Sequence, residues 1–259
     1  MSSARAVIAF VGLSFEARIA AGPGVHVVCR EAGADLTGPL NDAIKRGCRS
    51  IISFGIAGGL APHLRPGDWV VASSIIDAGT RRPTDAEWSG KLLRSVPRAG
   101  FAPVAGVDAP VSDPKAKREW HCKTGAVAVD MESHLVARLA AAHKLAFAAV
   151  RVIVDPVHRS VPAAALAGMR PDGSTDASAV LRALMAAPSE AIGLMRIAAD
   201  AFLARNSLSR GRRLLGPGLG LADAGDYASA PTSHMRDAGL LSGIGGRIPQ
   251  ALSAEKLLA

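Results

Sequence analysis

Two carboxylates stand close together in VDMES, Asp130 and Glu132, and a third, Asp155, closes the apolar run FAAVRVIVD just ahead of Pro156. A carboxylate at the end of an apolar strand is partly desolvated, and desolvation raises its pKa toward the range of a general acid. Each group also has a plainer reading. Acids at a strand-to-helix junction favour the positive end of the helix dipole, and an Asp before proline is common in turns. Glu16, just beyond the first apolar run, is a fourth candidate, with a surface helix-start Glu as its plainer reading. The segment GIAGGL at 55–60 reads as a glycine-rich turn. Such a turn exposes backbone N–H groups and lets a ligand approach closely, or it is simply structural. It is not a phosphate-binding Walker loop, because no GK[ST] follows, and it lacks the GxGxxG spacing of dinucleotide folds.

The elements that must position these residues follow from hydrophobic patterning. Apolar runs at 4–11, 25–30, 50–54, 69–76, 101–107, 126–130 and 147–155 read as strands. Between them lie helix candidates at 38–47, 86–96, 112–120 and 131–144, the third opened by Ser112 and Asp113-Pro114. In the fourth, Met131, Leu135 and Leu139 form a stripe with Val136 and Ala140 beside it. Helices at 177–186 and 189–204 close the domain. Continuous apolar strands alternating with helices indicate a doubly covered sheet. The fold class expected is α/β, a three-layer α/β/α arrangement with a mixed, largely parallel central sheet. Sites in such folds lie beyond the carboxyl ends of strands, which is where Glu16, GIAGGL, Glu132 and Asp155 all fall.

Composition narrows the classes further. Of 259 residues, 49% are hydrophobic and 4% aromatic, which favours helices packed on a sheet over an aromatic-rich β fold. No apolar run is long enough to span a bilayer. The N-terminal AVIAFVGLSF lacks a small-residue cleavage site and meets Glu16 at once, so it reads as a buried strand rather than a signal peptide. Cys29, Cys48 and Cys122 are odd in number and widely spaced, which predicts reduced thiols. No cluster has metal-ligand spacing, so no metal and no cofactor are expected.

The net charge of +8 is uneven. Arg205, Arg210, Arg212 and Arg213 fall in a stretch without an acid. That run reads either as a solvated basic tail or as a peripheral contact with an anionic membrane. Aromatic residues are missing from it, so a nucleic acid is not an expected partner. From about 217 the composition turns to Gly, Ala, Ser and Asp. The expected division is a catalytic domain at 1–205 and a basic, then Gly/Ala-rich tail at 206–259, with a short helix near 250–258. The expected location is the cytoplasm, with peripheral attachment to the inner membrane face as the further option.

The segment AVAVDMESHLVARLAAAHKLAFAAVRVIVD resembles the purine nucleoside phosphorylase and methylthioadenosine/S-adenosylhomocysteine nucleosidase superfamily in its strand, M-E pair, helix and R-x-I-x-D strand. GIAGGLAPHLRPGDWVVAS is similar to that family's glycine-rich segment and following strand. The resemblance covers about 4–160. Within the superfamily, VGLSFEARIA and GRRLLGPG look like the hopanoid-associated phosphorylase branch.

The resemblance implies cleavage of the N-glycosidic bond of an adenine nucleoside. Glu132 would hydrogen-bond the ribose hydroxyls and Met131 would pack on the sugar. Asp155 would protonate purine N7 and contact the 6-amino group. Ala57 and Gly58 would lie near the ribose and the nucleophile, with Pro110 and Val111 against the base. Glu16 would orient an attacking water, and Arg18 would supply one charge for phosphate. Ile56 stands where some relatives carry a phosphate-binding Ser and no Arg precedes it, a departure from the phosphorylase pattern; with Arg18 as one charge, inorganic phosphate stays open as a co-substrate beside water. The branch implies adenosylhopane as substrate, giving adenine and a ribosyl- or phosphoribosyl-hopane. The alternatives are a nucleosidase for small soluble nucleosides and a non-catalytic nucleoside- or lipid-binding scaffold. A homo-oligomer is implied in either enzyme case.

Overall fold

A computed structural model describes residues 7–30, 37–168 and 176–221 of the chain. Eight strands are present among them: β1 (Val7–Val11), β2 (Val25–Cys29), β3 (Ser50–Gly59), β4 (Trp69–Asp77), β5 (Thr80–Pro83), β6 (Gly100–Gly106), β7 (Ala128–Asp130) and β8 (Ala146–Asp155). The helices are α1 (Ser14–Ala20), α2 (Thr37–Lys45), α3 (Ala86–Ser95), α4 (Pro114–Thr124), α5 (Ser133–His143), α6 (Ala163–Ala167), α7 (Ala177–Ala186) and α8 (Ala191–Leu215).

The strands form one mixed sheet in the order β2-β1-β3-β7-β6-β4-β5, with β8 inserted between β3 and β4. Parallel pairs join β1 to β2 and β3, β3 to β8, β4 to β6 and β6 to β7. Antiparallel pairs join β3 to β7, β4 to β5 and β4 to β8. The pairings β3–β8–β4–β6–β7–β3 therefore close a ring, which removes free edges from that half of the sheet. The α/β class with a mixed, largely parallel sheet is as the patterning predicted. Its core is mostly aliphatic, with Ile8, Ile51, Val70, Ile75, Val104 and Ile153 buried from different strands around Phe10. Helix α5 covers β3, β4, β6 and β8, while α8 lies on β3 and β8.

Local sequence explains most element boundaries. Asp85 caps α3 by accepting from Trp88 N–H at 2.8 Å, and Asp113 caps α4 by accepting from Ala116 N–H at 2.9 Å. Gly125 ends α4 in the left-handed conformation. Helix α5 buries Val136, Ala137 and Ala140, with Leu135 and Leu139 only half-buried, so its inward face is rotated from the stripe read off the sequence.

Three expectations change. The segment GIAG is no turn: β3 runs on through Gly59, and the chain stays paired because Gly58 and Gly59 bond to β7. Leu60 N–H continues the pairing onto Val127 O at 2.8 Å. The division expected after residue 205 falls inside α8, which extends to Leu215. Residues 206–221 are part of the folded body. Leu208, Leu215 and Leu219 are buried, and the Trp88 indole N–H donates to Leu219 O at 3.0 Å. The Arg run is accordingly not a tail but part of α8, on which Arg205, Arg210 and Arg213 are exposed to solvent. Arg212 is buried, donating from Nε to Ala20 O at 3.0 Å and from Nη1 to Gly216 O at 2.7 Å. Residues 222–259, with the helix expected near 250–258, lie outside the described residues, as does the start of the first strand at 4–6.

Candidate active site

Glu16 sits in the first turn of α1 and is 3% exposed. Its Oε2 accepts from Gly12 N–H at 3.0 Å and Leu13 N–H at 2.9 Å. Its position three residues past the helix N-cap allows this reach back to the otherwise unpaired N–H groups there. Oε1 accepts from Ile56 N–H at 2.8 Å. The glutamate thus ties the end of β1 to the middle of β3. Gly55 is required where it stands, because an added Cβ would overlap the Glu16 carboxylate. Burial pushes Glu16 up from 4.5 to about 7, and the neighbouring Glu132 adds to this, while Arg151 and the backbone N–H groups oppose it.

Glu132 immediately precedes α5, beyond β7. An added Cβ on Gly12 would lie 2.7 Å from Glu132 Oε1, so glycine at 12 makes room for this second carboxylate. Arg30, just past β2, donates to Met131 O at 3.0 Å and lies 3.6 Å from Glu132 Oε1. Burial and the nearby Asp130 raise the Glu132 pKa against the pull of Arg151 and Arg30.

Asp130 plays a supporting part. It accepts from the N–H groups of Glu132 at 3.0 Å and Ser133 at 2.7 Å, fixing the start of α5. Arg151 on β8, 1% exposed, donates from Nε to Asp130 Oδ2 and from Nη2 to the hydroxyls of Ser53 and Ser133. Burial pushes the Asp130 carboxyl up, but the Arg151 charge and the hydrogen bonds outweigh it and hold the group below its ordinary range.

Asp155 closes β8 and is 7% exposed. A β-bulge brings it alongside Gly58: the register that pairs Ala57 with Ile153 skips a residue, so Gly58 faces Asp155. Burial raises its pKa, while the fully buried Lys117 of α4, whose Nζ donates to Asp155 Oδ2, pulls the other way.

Glu16, Asp130, Glu132 and Asp155 line one cavity of about 280 Å³ together with Ala57, Gly58, Pro110, Val111 and Met131. Nine sequence-nominated residues, Asp130 included, are thereby brought together from five strand ends. Arg18 is the exception. Glu16 and Ala20, four apart, face inward on α1, so Arg18 midway between them points out and is exposed. Sequence reasoning assigned no role to Lys117, Arg30 or Arg151, nor to the apolar wall formed by Val161, Ala165, Leu166 and Ile197. Only Arg151 carried a signal, as the arginine inside an otherwise apolar strand. The described lining contains no Lys, Arg or His.

The family model described as Phosphorylase superfamily matches residues 25–186. A search of curated proteins gives no match. Among solved structures, a 5'-methylthioadenosine/S-adenosylhomocysteine nucleosidase of Helicobacter pylori, a mutant with 5'-methylthioadenosine in its active site, is similar. It has 13% identity and a TM-score of 0.55, over 82% of this chain and 96% of that one. Futalosine hydrolase of Helicobacter pylori gives 16% identity and a TM-score of 0.55 over 82% and 96%. The S-adenosylhomocysteine nucleosidase of Streptococcus pyogenes, in complex with 5-methylthiotubericidin, gives 16% and 0.51 over 81% and 98%. At these identities the likeness is one of fold.

Proposed function

From the premise that the chain belongs to the phosphorylase superfamily, we propose that it cleaves the N-glycosidic bond of an adenine nucleoside with water as the nucleophile. The observation that carries this reading is the convergence of Glu16, Glu132 and Asp155 on one otherwise apolar cavity whose described lining has no cation. Breaking the C1′–N9 bond leaves an oxocarbenium-like ribosyl group and an anionic base. Asp155 protonates N7, so the base departs neutral. Glu132 holds the ribose hydroxyls, and its charge stabilises the cationic sugar. Glu16, poised near 7, takes the proton of the attacking water. A phosphate dianion is disfavoured among these carboxylates, and Arg18 is turned away from them.

The substrate we propose is adenosylhopane, released as adenine and ribosylhopane. The sequence resemblance supports it, as does the apolar wall of Val161, Ala165, Leu166 and Ile197, which suits a hydrocarbon beyond the ribose. Peripheral contact with an anionic membrane belongs to this reading. Ile192, Met195, Phe202 and Leu203 are exposed on α8, and Arg196, Arg210 and Arg213 are exposed on the same helix. They fall within about 120° of one another on a helical wheel. No described helix is long and apolar enough to cross a membrane. The similar nucleosidase folds favour a second reading, a small soluble substrate such as methylthioadenosine. A homo-oligomer is part of either reading, and light scattering on the eluted protein tests it.

The test is adenine release from adenosylhopane, methylthioadenosine and S-adenosylhomocysteine, with and without phosphate. The proposal expects adenine and a free reducing ribosyl product without phosphate. Strict dependence on phosphate would reject water as the nucleophile, and no adenine from any of the three would reject these substrate assignments.

A further inference from the structure

Lys117 is the least expected group near the site. A lysine in a helix as polar as PKAKREWHCKT ordinarily reaches water, yet Lys117 is 0% exposed. Its Nζ donates to Asp155 Oδ2 and to the main-chain oxygens of Arg159 at 3.0 Å and Pro156 at 3.3 Å, with Asp155 O at 3.5 Å. Every partner is an acceptor, so the nitrogen serves only as a donor, the arrangement an ammonium requires. The loop that wraps it is pinned in turn, because Arg159 Nε donates to Asp200 Oδ2 of α8 at 2.8 Å. Lys117 approaches Asp155 from behind. It does not line the cavity, whereas Asp155 does.

We propose that Lys117 is the positioning residue of the proton donor: it holds Asp155 by Oδ2 with Oδ1 turned to the base, and its ammonium stabilises the carboxylate formed when Asp155 gives up its proton. The inference rests on Asp155 acting as the acid. In the step, the C1′–N9 bond breaks and its electron pair goes to the base. The Oδ1 proton moves to N7, and the negative charge left on Asp155 faces Lys117 Nζ. Burial alone would make Asp155 hold its proton too tightly to give it to a purine nitrogen. The buried cation makes the donor a stronger acid while it stays protected from water.

The test compares wild type with Lys117→Met, Lys117→Arg and Asp155→Asn. Carbon-13 spectra of carboxyl-labelled aspartates, with the Asp155 signal assigned by its loss in Asp155→Asn, give the protonation midpoint without any substrate. Adenine release gives the pH profile. Without the cation, the Asp155 midpoint and the alkaline limb of kcat both move up by at least about one pH unit, and kcat at neutral pH falls about tenfold or more. Lys117→Arg, which keeps the charge, restores the limb. If Lys117→Met does not fold, Lys117→Gln, with donors for the carbonyls but no charge, is read the same way. A merely structural lysine would lower kcat at every pH and leave both midpoint and limb in place, which overturns the inference and leaves the proposed reaction standing. Full turnover by Asp155→Asn would overturn both.

Discussion

Replacing Glu16 by Gln should change the pH dependence of stability in a direction opposite to that of most carboxylates. Glu16 moves from 4.5 in the unfolded chain to about 7 in the fold, chiefly through burial. The folded chain therefore binds a proton that the unfolded chain has released between those two values, so stability from this group is fully present below about 4.5 and is lost as pH rises through 7. A shift of this size corresponds to about 3 kcal/mol. At 3% exposure solvent screening removes little of it. The Gln side chain resembles the protonated acid: one oxygen can take the Gly12 and Leu13 N–H groups, leaving the amide NH₂ against Ile56 N–H. With its NH₂ facing the Ile56 N–H, the variant carries a pH-independent cost of about 1–3 kcal/mol, so the prediction is the change: relative to wild type the variant should gain about 3 kcal/mol between pH 4.5 and pH 8, or about 6–12 °C in Tm for a chain of this size.

Differential scanning calorimetry of both proteins in parallel from pH 4.5 to 8.5 measures the difference directly, since all other titrations are shared. The same variant reads the catalytic role. Wild-type kcat/KM should rise through a pH near 7, and Glu16→Gln should lose about 10²–10⁴-fold and show no such limb. Tm curves that run parallel would mean that Glu16 titrates in the ordinary carboxylate range and is not poised as a base. An acid limb that persists in the variant would assign it to another group.

Four further outcomes follow from the packing. Removing the Arg151 side chain with Ala leaves Asp130 as a buried unpaired charge and should cost about 3–5 kcal/mol in chemical denaturation. Gly211→Ala puts a Cβ into the Trp69 ring, so it should lower Tm by several degrees, whereas Gly47→Ala, with open space around it, is opposed only by its positive φ. A chain ending at 205 should fail to fold because it exposes the surfaces that Leu208, Arg212, Leu215 and Leu219 cover, which circular dichroism would report as the loss of a cooperative melt. Phe202→Ser with Arg210→Glu should abolish flotation with phosphatidylglycerol vesicles and leave turnover of methylthioadenosine, if any, unchanged. Flotation that persists would place the membrane contact elsewhere.

The parts of the site legible in the sequence were those fixed by strand periodicity. Asp155 closes an apolar run, and Glu132 follows a short strand and opens a helix, so their placement beyond strand ends needs no tertiary information. The glycine-rich segment misled because glycine signals turns locally. Here the glycines are needed by neighbours: Gly12 and Gly55 leave room for Glu132 and Glu16, and Gly58 and Gly59 pair with β7. Arg18 was expected to supply a charge for phosphate, yet helical geometry turns it, two positions from Glu16, to the other side. The end of α8 was hidden by its arginines. Leu208, Gly211 and Leu215 recur at helical spacing, but that signal was overridden by the basic run, of which Arg212 in fact caps carbonyls inside the fold.

What no local pattern could disclose is how the carboxylates are told apart. Asp130 bonds directly to Arg151, Asp155 to Lys117, and Glu132 has Arg30 at 3.6 Å. Glu16 alone among the four is held by backbone N–H groups with no cation bonded to it. Burial drives Glu16 to about 7 against the Arg151 charge and these backbone N–H groups, with the neighbouring Glu132 adding to the rise. On the proposed reading, one cavity thereby carries a base that ionises near neutrality, an acid that is buried but backed by an ammonium, and a structural carboxylate, Asp130, held below its ordinary range. Those separated ionisation states are what an N-glycosidic hydrolysis needs from side chains of a single chemical type. They arise from Arg30, Lys117 and Arg151, which lie far from their partners in the chain and meet them only when the strands assemble.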